Sequence, residues 1–328
     1  MAAVEVHRFA QCITCHAWSP DRSMLAFCPN NNEVHIYTLM QSKWEKLHVL
    51  QKVLTISFDA QLLQICIVFC WFMVNVFIFT FFRWVSKLIR KRHDSSVTSV
   101  AWHPNNILLA TASTDGKCRI FSTYIKVVDA KESKTVSSSD AKFGELILQL
   151  DLSSSWAFGV RWSPSGNTLA YVGHNSMIYF VDEVGPSPLA QNVAFRDLPL
   201  RDVLFLSERL VIGVGFDCNP MVFAADERGI WSFIRFLGER RITSSGPKYG
   251  SQLSGAFRTL YGQPKHGLSN DTNDHSRPQG TVHENCINCI VPLGTSGSSK
   301  VMRFSTSGLD GKVVVWDLEN QADLSEYF

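Results

Sequence analysis

Residues 159–183 read GVRWSPSGNTLAYVGHNSMIYFVDE. A short apolar strand ends in Trp162 and is stopped by Ser163-Pro164. A turn follows, then a second apolar strand, another turn and a strand rich in aromatic residues. The same sentence recurs as SVAWHPNNILLATASTDGKCRIFST (99–123) and as CHAWSPDRSMLAFCPNNNEVHIYT (15–38). Two weaker copies are RDVLFLSERLVIGVGFDCNPMVFAAD (201–226) and NCINCIVPLGTSGSSKVMRFSTSGLDGKVVVWDLE (285–319), the last ending in Trp316-Asp317. Asp-Gly pairs at 115–116 and 310–311 fall where a tight hairpin needs positive φ.

The anchors Trp18, Trp102, Trp162, Phe205 and Val291 are spaced 84, 60, 43 and 86 residues apart. A repeat of about 40–45 residues with a Trp-Asp ending is the signature of a four-stranded propeller blade. One blade cannot bury both of its faces alone, so blades stack around an axis. Outer strands are expected at 43–51, 144–152, 188–197 and 229–239. The last repeat has none after it, and VEVHRF (4–9) is expected to supply that strand and close the ring. WVSKLIR (84–90) reads as an orphan outer strand with no inner strands of its own.

Composition agrees with a globular all-β chain. Of 328 residues, 45% are hydrophobic, 18% charged and 12% aromatic, with nine tryptophans. A net charge of +2 argues against nucleic acid as the main partner. MAAVEVHRFAQ lacks the apolar centre of a signal peptide. Nine scattered cysteines suit buried thiols in a reducing compartment better than a disulfide framework.

The phrases HAWSPDRSMLAFCPNNNEVHIY, WHPNNILLATASTDGKCRIFSTYIK and FSTSGLDGKVVVWDLE resemble the WD-repeat subunit (subunit 1) of the actin-related protein 2/3 complex. The resemblance covers 1–52 and 84–328. It implies an all-β WD40 propeller, seven-bladed in the family. About five full blades are recognisable here, by order the first and the fourth to seventh, plus the orphan strand. It also implies a non-catalytic scaffold without cofactor, placed in the cytoplasm and cytoskeleton. The implied partners are the actin-related proteins, the other subunits of the same complex, an actin filament and nucleation-promoting factors. A generic WD adaptor, or a defective or membrane-anchored splice product, is the alternative.

Residues 53–83 stand apart. They contain no Gly or Pro, and Leu62 to Phe82 carry no charge. A seven-bladed relative places its fourth anchor three periods after the first, so about 45 residues are missing before Trp102. Three readings compete for the run. As buried strands it lacks turn residues, with Asn75 the one plausible turn. As a transmembrane helix it has the needed length of about 20 residues, with Arg83, Lys87, Arg90, Lys91 and Arg92 beyond it, but a span would break ring closure. As a retained intron or mis-read exon it explains FIFTFFR, which has the form of a translated pyrimidine tract before Trp84. The segment is therefore read as a non-family insert, helical if it takes regular structure, dividing the chain into 1–52, 53–83 and 84–328. Loss of two blades is expected to leave broad apolar faces uncovered, against a stability margin of about 5–15 kcal/mol. Transcripts sequenced across Lys52–Trp84 are expected to carry about 75 family-like residues in place of the run; a translated message dominated by the run contradicts this reading.

The polar stretch 240–283 interrupts the last interval as an exposed insert. Within it, YGSQLSGAFRTLYG (249–262) places Tyr249, Leu253, Phe257, Leu260 and Tyr261 on one helical face, against the weakening effect of Gly250 and Gly255. Such a face suggests docking to a partner or packing back on the propeller. The resemblance implies that the insert projects toward actin, which makes Leu253, Phe257, Leu260 and Tyr261 the expected protein-binding residues. Cys12-Ile13-Thr14-Cys15-His16 matches a haem-attachment pattern, but i and i+3 on a strand point oppositely, and the same objection applies to Cys286 and Cys289 as metal ligands. The basic run 87–93 reads as a solvated edge or a seat for an acidic surface. No catalytic constellation is recognisable.

Overall fold

The computed structural model describes residues 3–328 apart from 20–21, 32, 42, 51–64, 71–72, 81–82, 91, 126–141, 153–154, 185–186, 239–280 and 294–299. Strand β1 (Ala3–Arg8) comes first. Blade I holds β2 (Cys15–Trp18), β3 (Met24–Cys28), β4 (Val34–Met40) and β5 (Lys43–Leu50). Sheet II holds β6 (Ile65–Cys70), β7 (Met73–Thr80) and β8 (Arg83–Arg90). Blade III is β9 (Val97–Trp102), β10 (Leu108–Ser113), β11 (Lys117–Ser122) and β12 (Leu146–Asp151). Blade IV is β13 (Ala157–Trp162), β14 (Thr168–Gly173), β15 (Met177–Asp182) and β16 (Leu189–Ala194). Blade V is β17 (Leu200–Phe205), β18 (Leu210–Gly215), β19 (Met221–Ala225) and β20 (Trp231–Phe236). Blade VI is β21 (Ile287–Pro292), β22 (Arg303–Gly308) and β23 (Lys312–Asp317), and β1 pairs antiparallel with β23 to complete it. A 3-10 helix, Ala322–Tyr327, follows.

Among the described residues every sheet is antiparallel, five have four strands, and all but blade VI, whose outer strand is β1, are meanders of consecutive strands. The all-β WD40 propeller architecture expected from the repeat is the one observed. Trp18, Trp102, Trp162 and Phe205 end the innermost strands of blades I, III, IV and V. Gly116 and Gly311 take φ of 80° and 71°, as their Asp-Gly turns require.

The helical expectation for 53–83 is corrected. Residues 65–70 and 73–80 form β6 and β7. Their Val, Ile and Phe are β-formers, and a continuous apolar run cannot by itself distinguish strand from helix. Asn75 is not a turn: it lies inside β7 opposite Val68. Nor is 84–90 an orphan. It is part of β8, paired with β7 from Arg83↔Thr80 to Arg90↔Met73. Among the described residues no helix is long and apolar enough to cross a membrane.

The core is a succession of inter-blade layers. Ile89 of sheet II packs with Val100, Leu109 and Phe121 of blade III. Ala110 and Ile120 of blade III meet Val160 and Leu169 of blade IV. Phe180 of blade IV lies in one cluster with Phe223 and Trp231 of blade V, its ring stacked 3.9 Å from the Trp231 ring. Ile212 and Val222 of blade V pack with Ile290, Phe304 and Trp316 of blade VI. Val313 of blade VI joins Leu25 and Phe27 of blade I.

Blade I ends this succession differently. The second strands β14 and β18 are buried at every residue, and β10 and β22 at all but the first. On β3 only Leu25 and Phe27, which point toward blade VI, are buried. Met24, Ala26 and Cys28 point the other way, and Met24 is 39% exposed. Among the described residues, this face of blade I is less buried than the second strands of the other four-stranded blades.

Candidate interaction surface

Two blades pin their central turns with buried polar chains. In blade VI, Trp316 Nε1 donates to Thr306 Oγ1 (2.8 Å), which lies 2.8 Å from His283 Nε2. His283 Nδ1 is 3.0 Å from Asp310 Oδ2, and Asp310 accepts the backbone N–H groups of Glu284 and Lys312. Burial works against the Asp310 charge, but His283 and those N–H groups hold its carboxyl below the usual range. Blade III repeats the device as Thr111, His93 and Asp115, with His93 Nε2 2.8 Å from Thr111 Oγ1 and Nδ1 3.0 Å from Asp115 Oδ2. Phe121 stands where blade VI has its tryptophan, and Arg119 Nη1 donates to Asp115 Oδ2 at 2.7 Å. Against the cost of burial, Arg119, the Asp94 N–H and His93 bring Asp115 down to about 2. These anchors fix the loops at one end of the sheets.

That end carries a continuous aromatic arc. Trp156, in the loop before β13, is 54% exposed. Its ring centroid is 6.1 Å from His174, in the β14–β15 turn, and 6.5 Å from Phe158 on β13. Phe216, after β18, meets His174 edge-on at 5.9 Å. The Arg201 guanidinium lies 5.2 Å from the Phe158 centroid and 5.9 Å from Phe216. Among the described residues no carboxylate pairs with Arg201. Beside Trp156 opens a groove of about 370 Å³ between the β10–β11 turn and the β12–β13 loop, lined by Thr114, Asp115, Lys117, Asp151, Leu152 and Ser155 among others. Among the described residues, Ser155 Oγ and, one residue past His174, Asn175 Oδ1 are buried without a hydrogen-bond partner.

Exposed Trp together with Arg is the composition of interface hot spots. A cation held over ring faces adds about 0.5–2 kcal/mol when desolvated. The arrangement can bind a protein surface; it shows no nucleophile–base pairing. The expected binding residues Leu253, Phe257, Leu260 and Tyr261 lie outside the described residues. The sequence reading missed Trp156, which precedes its repeat copy, and His174, Phe216 and Arg201, which lie within repeat copies but at turn or strand-start positions that the repeat anchors do not single out. In the haem-like stretch, His16 is buried with Nδ1 2.8 Å from Ser307 Oγ and Nε2 2.7 Å from Ser305 Oγ, so both ring nitrogens are occupied. No group of three metal-ligating side chains occurs among the described residues.

Residues 85–122 match the WD domain, G-beta repeat family. The chain is 58% identical over 380 aligned positions to actin-related protein 2/3 complex subunit 1B of Arabidopsis thaliana, covering 100% of both chains. It is 58% identical over 371 positions to subunit 1A of the same plant, covering 98% of each. With subunit 1A-B of Xenopus laevis the identity is 31%, over 96% of this chain and 97% of the relative. An alignment of 380 positions against 328 residues passes places where the plant relative has residues and this chain has none.

Proposed function

Because this chain belongs to the actin-related protein 2/3 complex subunit 1 family, we propose that it is a non-catalytic scaffold subunit that holds neighbouring subunits of that complex and supports actin nucleation and filament branching. The observation that carries the reading is identity of 58% along the full length of a relative named as that subunit. A rigid stack of blades suits the role, since several loop-rich edges face different directions at once. The work is protein contact, carried out at the cytoskeleton.

Two contacts divide that work. The arc of Trp156, His174, Phe216 and Arg201 seats a subunit of the complex. Changing Trp156→Ala together with Arg201→Glu is expected to weaken co-purification of the other subunits by at least about tenfold, at two hot-spot positions worth about 2 kcal/mol or more each. Circular dichroism should be unchanged, because Trp156 is exposed. Unchanged co-purification removes the arc from the interface. The insert reaches the actin filament, with Leu253, Phe257, Leu260 and Tyr261 as the docking face; its expected bound at 283 runs too far, since His283 is buried in blade VI. Deleting 250–262 is expected to reduce co-sedimentation with filaments while leaving subunit assembly intact. A generic adaptor would show no filament effect, and a membrane-anchored product would stay in the membrane pellet after carbonate extraction.

A further inference from the structure

The less buried face of blade I carries a feature that no other described strand pair has. Cys15 on β2 and Cys28 on β3 are directly opposite partners in the antiparallel register. Directly opposite residues have Cα atoms about 4.5–5.5 Å apart, inside the range of about 4.4–6.8 Å that a disulfide spans. Both are thiols in this structure, and both are partly exposed. The residues that end the corresponding strands of the other blades, Ser113, Gly173, Gly215 and Gly308, are all buried. At the three glycines an added Cβ would strike Trp156 O, Pro199 O and Cys286 O respectively. Among the described residues, blade I alone combines a side chain at this place, a thiol facing it and partial exposure to solvent.

We propose that Cys15 and Cys28 are a redox modification site, in which a peroxide-class oxidant converts the facing thiols into a cross-strand disulfide. The Cys28 thiolate attacks one oxygen of hydrogen peroxide, the O–O bond breaks, and hydroxide leaves to be protonated to water. The Cys15 sulfur then attacks the resulting sulfenic acid. An S–S bond forms, the S–O bond breaks, and the Cys15 proton departs with the oxygen as a second water. Two thiols lose two electrons in all, and one peroxide gains them.

The order follows from how the two thiols interact. Cys15 hydrogen-bonds to Cys28, which lowers the Cys28 pKa against the opposing effect of burial. The same hydrogen bond, then burial, raise Cys15 well above its ordinary value. Cys28 is thus the better thiolate and Cys15 holds the proton for the second step. Cys289 lies close enough to Cys15 to be felt electrostatically, but it is 9% exposed and burial pushes its thiol up to about 12.

The test uses the full chain, folded by circular dichroism, treated with hydrogen peroxide and then blocked with N-ethylmaleimide. Trypsin cleaves after Arg8, Arg22 and Lys43, so the bridge would join peptide 9–22 to peptide 23–43, and fragmentation between Cys12 and Cys15 locates it. The expected result is loss of two blockable thiols per chain, a predominant Cys15–Cys28 link, and full reversal by a thiol reductant. In guanidinium the same oxidant should lose that preference. Cys15→Ser should leave Cys28 as a sulfenic acid that dimedone traps, whereas Cys28→Ser should leave Cys15 unoxidised. Retention of both thiols, a link through Cys12 or Cys289, or equal yield in the denatured chain overturns the proposal.

Discussion

Asp310→Ala is expected to lower the unfolding free energy by about 3–5 kcal/mol, since it leaves three buried hydrogen-bonding groups without their acceptor at about 1–3 kcal/mol each. The side chains of Asp310 and His283 are 2% and 0% exposed, so water cannot replace what is lost. Three contacts fail together: the pair with His283 and the two N–H groups of Glu284 and Lys312. The loss falls where the chain ends meet. Phe9 N–H donates to Gly311 O at 3.0 Å, and a Cβ on Gly311 would strike Ala10 O, so the turn held by Asp310 also seats the segment after β1. Against a margin of about 5–15 kcal/mol, the variant should shift the denaturant midpoint strongly or fail to fold. A shift worth less than about 1 kcal/mol in tryptophan-monitored urea unfolding would show that the chain from Trp316 to Asp310 does not hold the blade.

The second large effect is acid sensitivity set by His16. Burial, then the nearby His283, lower its pKa to about 3, against about 6.5 in an unfolded chain. The unfolded state therefore binds a proton that the folded state refuses between those values, and stability falls as pH drops below 6.5. Integrated to pH 3, the effect is on the order of 5 kcal/mol. Burial also lowers His93, where Asp115 partly offsets it, and His103, so their losses add in the same direction. The depressed carboxylates act in a separate window. Asp115 and Asp310 contribute stability that is present above the unfolded carboxylate range and is lost below it, as pH falls through their folded values. Urea unfolding between pH 7.5 and 5 should therefore report histidines, with a slope that approaches about 1.4 kcal/mol per pH unit for each proton linked as pH falls below 6. His16→Gln should remove about one proton from that slope. A slope unchanged by the substitution would mean that His16 is not held neutral between Ser305 and Ser307.

The blade pattern was legible because its signals are local. Trp18, Trp102 and Trp162 are each followed by Ser or His and then Pro, and each closes an innermost strand. Gly116 and Gly311 mark turns that need positive φ. The run at 53–83 misled because β6 and β7 are separated without Gly, Pro or Asp, and because Asn75 lies in mid-strand. The aromatic arc was illegible for another reason. Trp156, His174, Arg201 and Phe216 belong to two blades, at turn and strand-start positions that carry no repeat anchor, and stacking of blade IV on blade V brings them together.

This chain serves as the WD-repeat scaffold of the complex. Co-expression with the other subunits, affinity capture through a tag on this chain, and a branching assay on the captured material test it most directly. The chain is expected to be recovered in equal proportion with the actin-related proteins, and the assembly to nucleate branched filaments. Recovery of the chain alone, from cells in which the other subunits assemble without it, would contradict it.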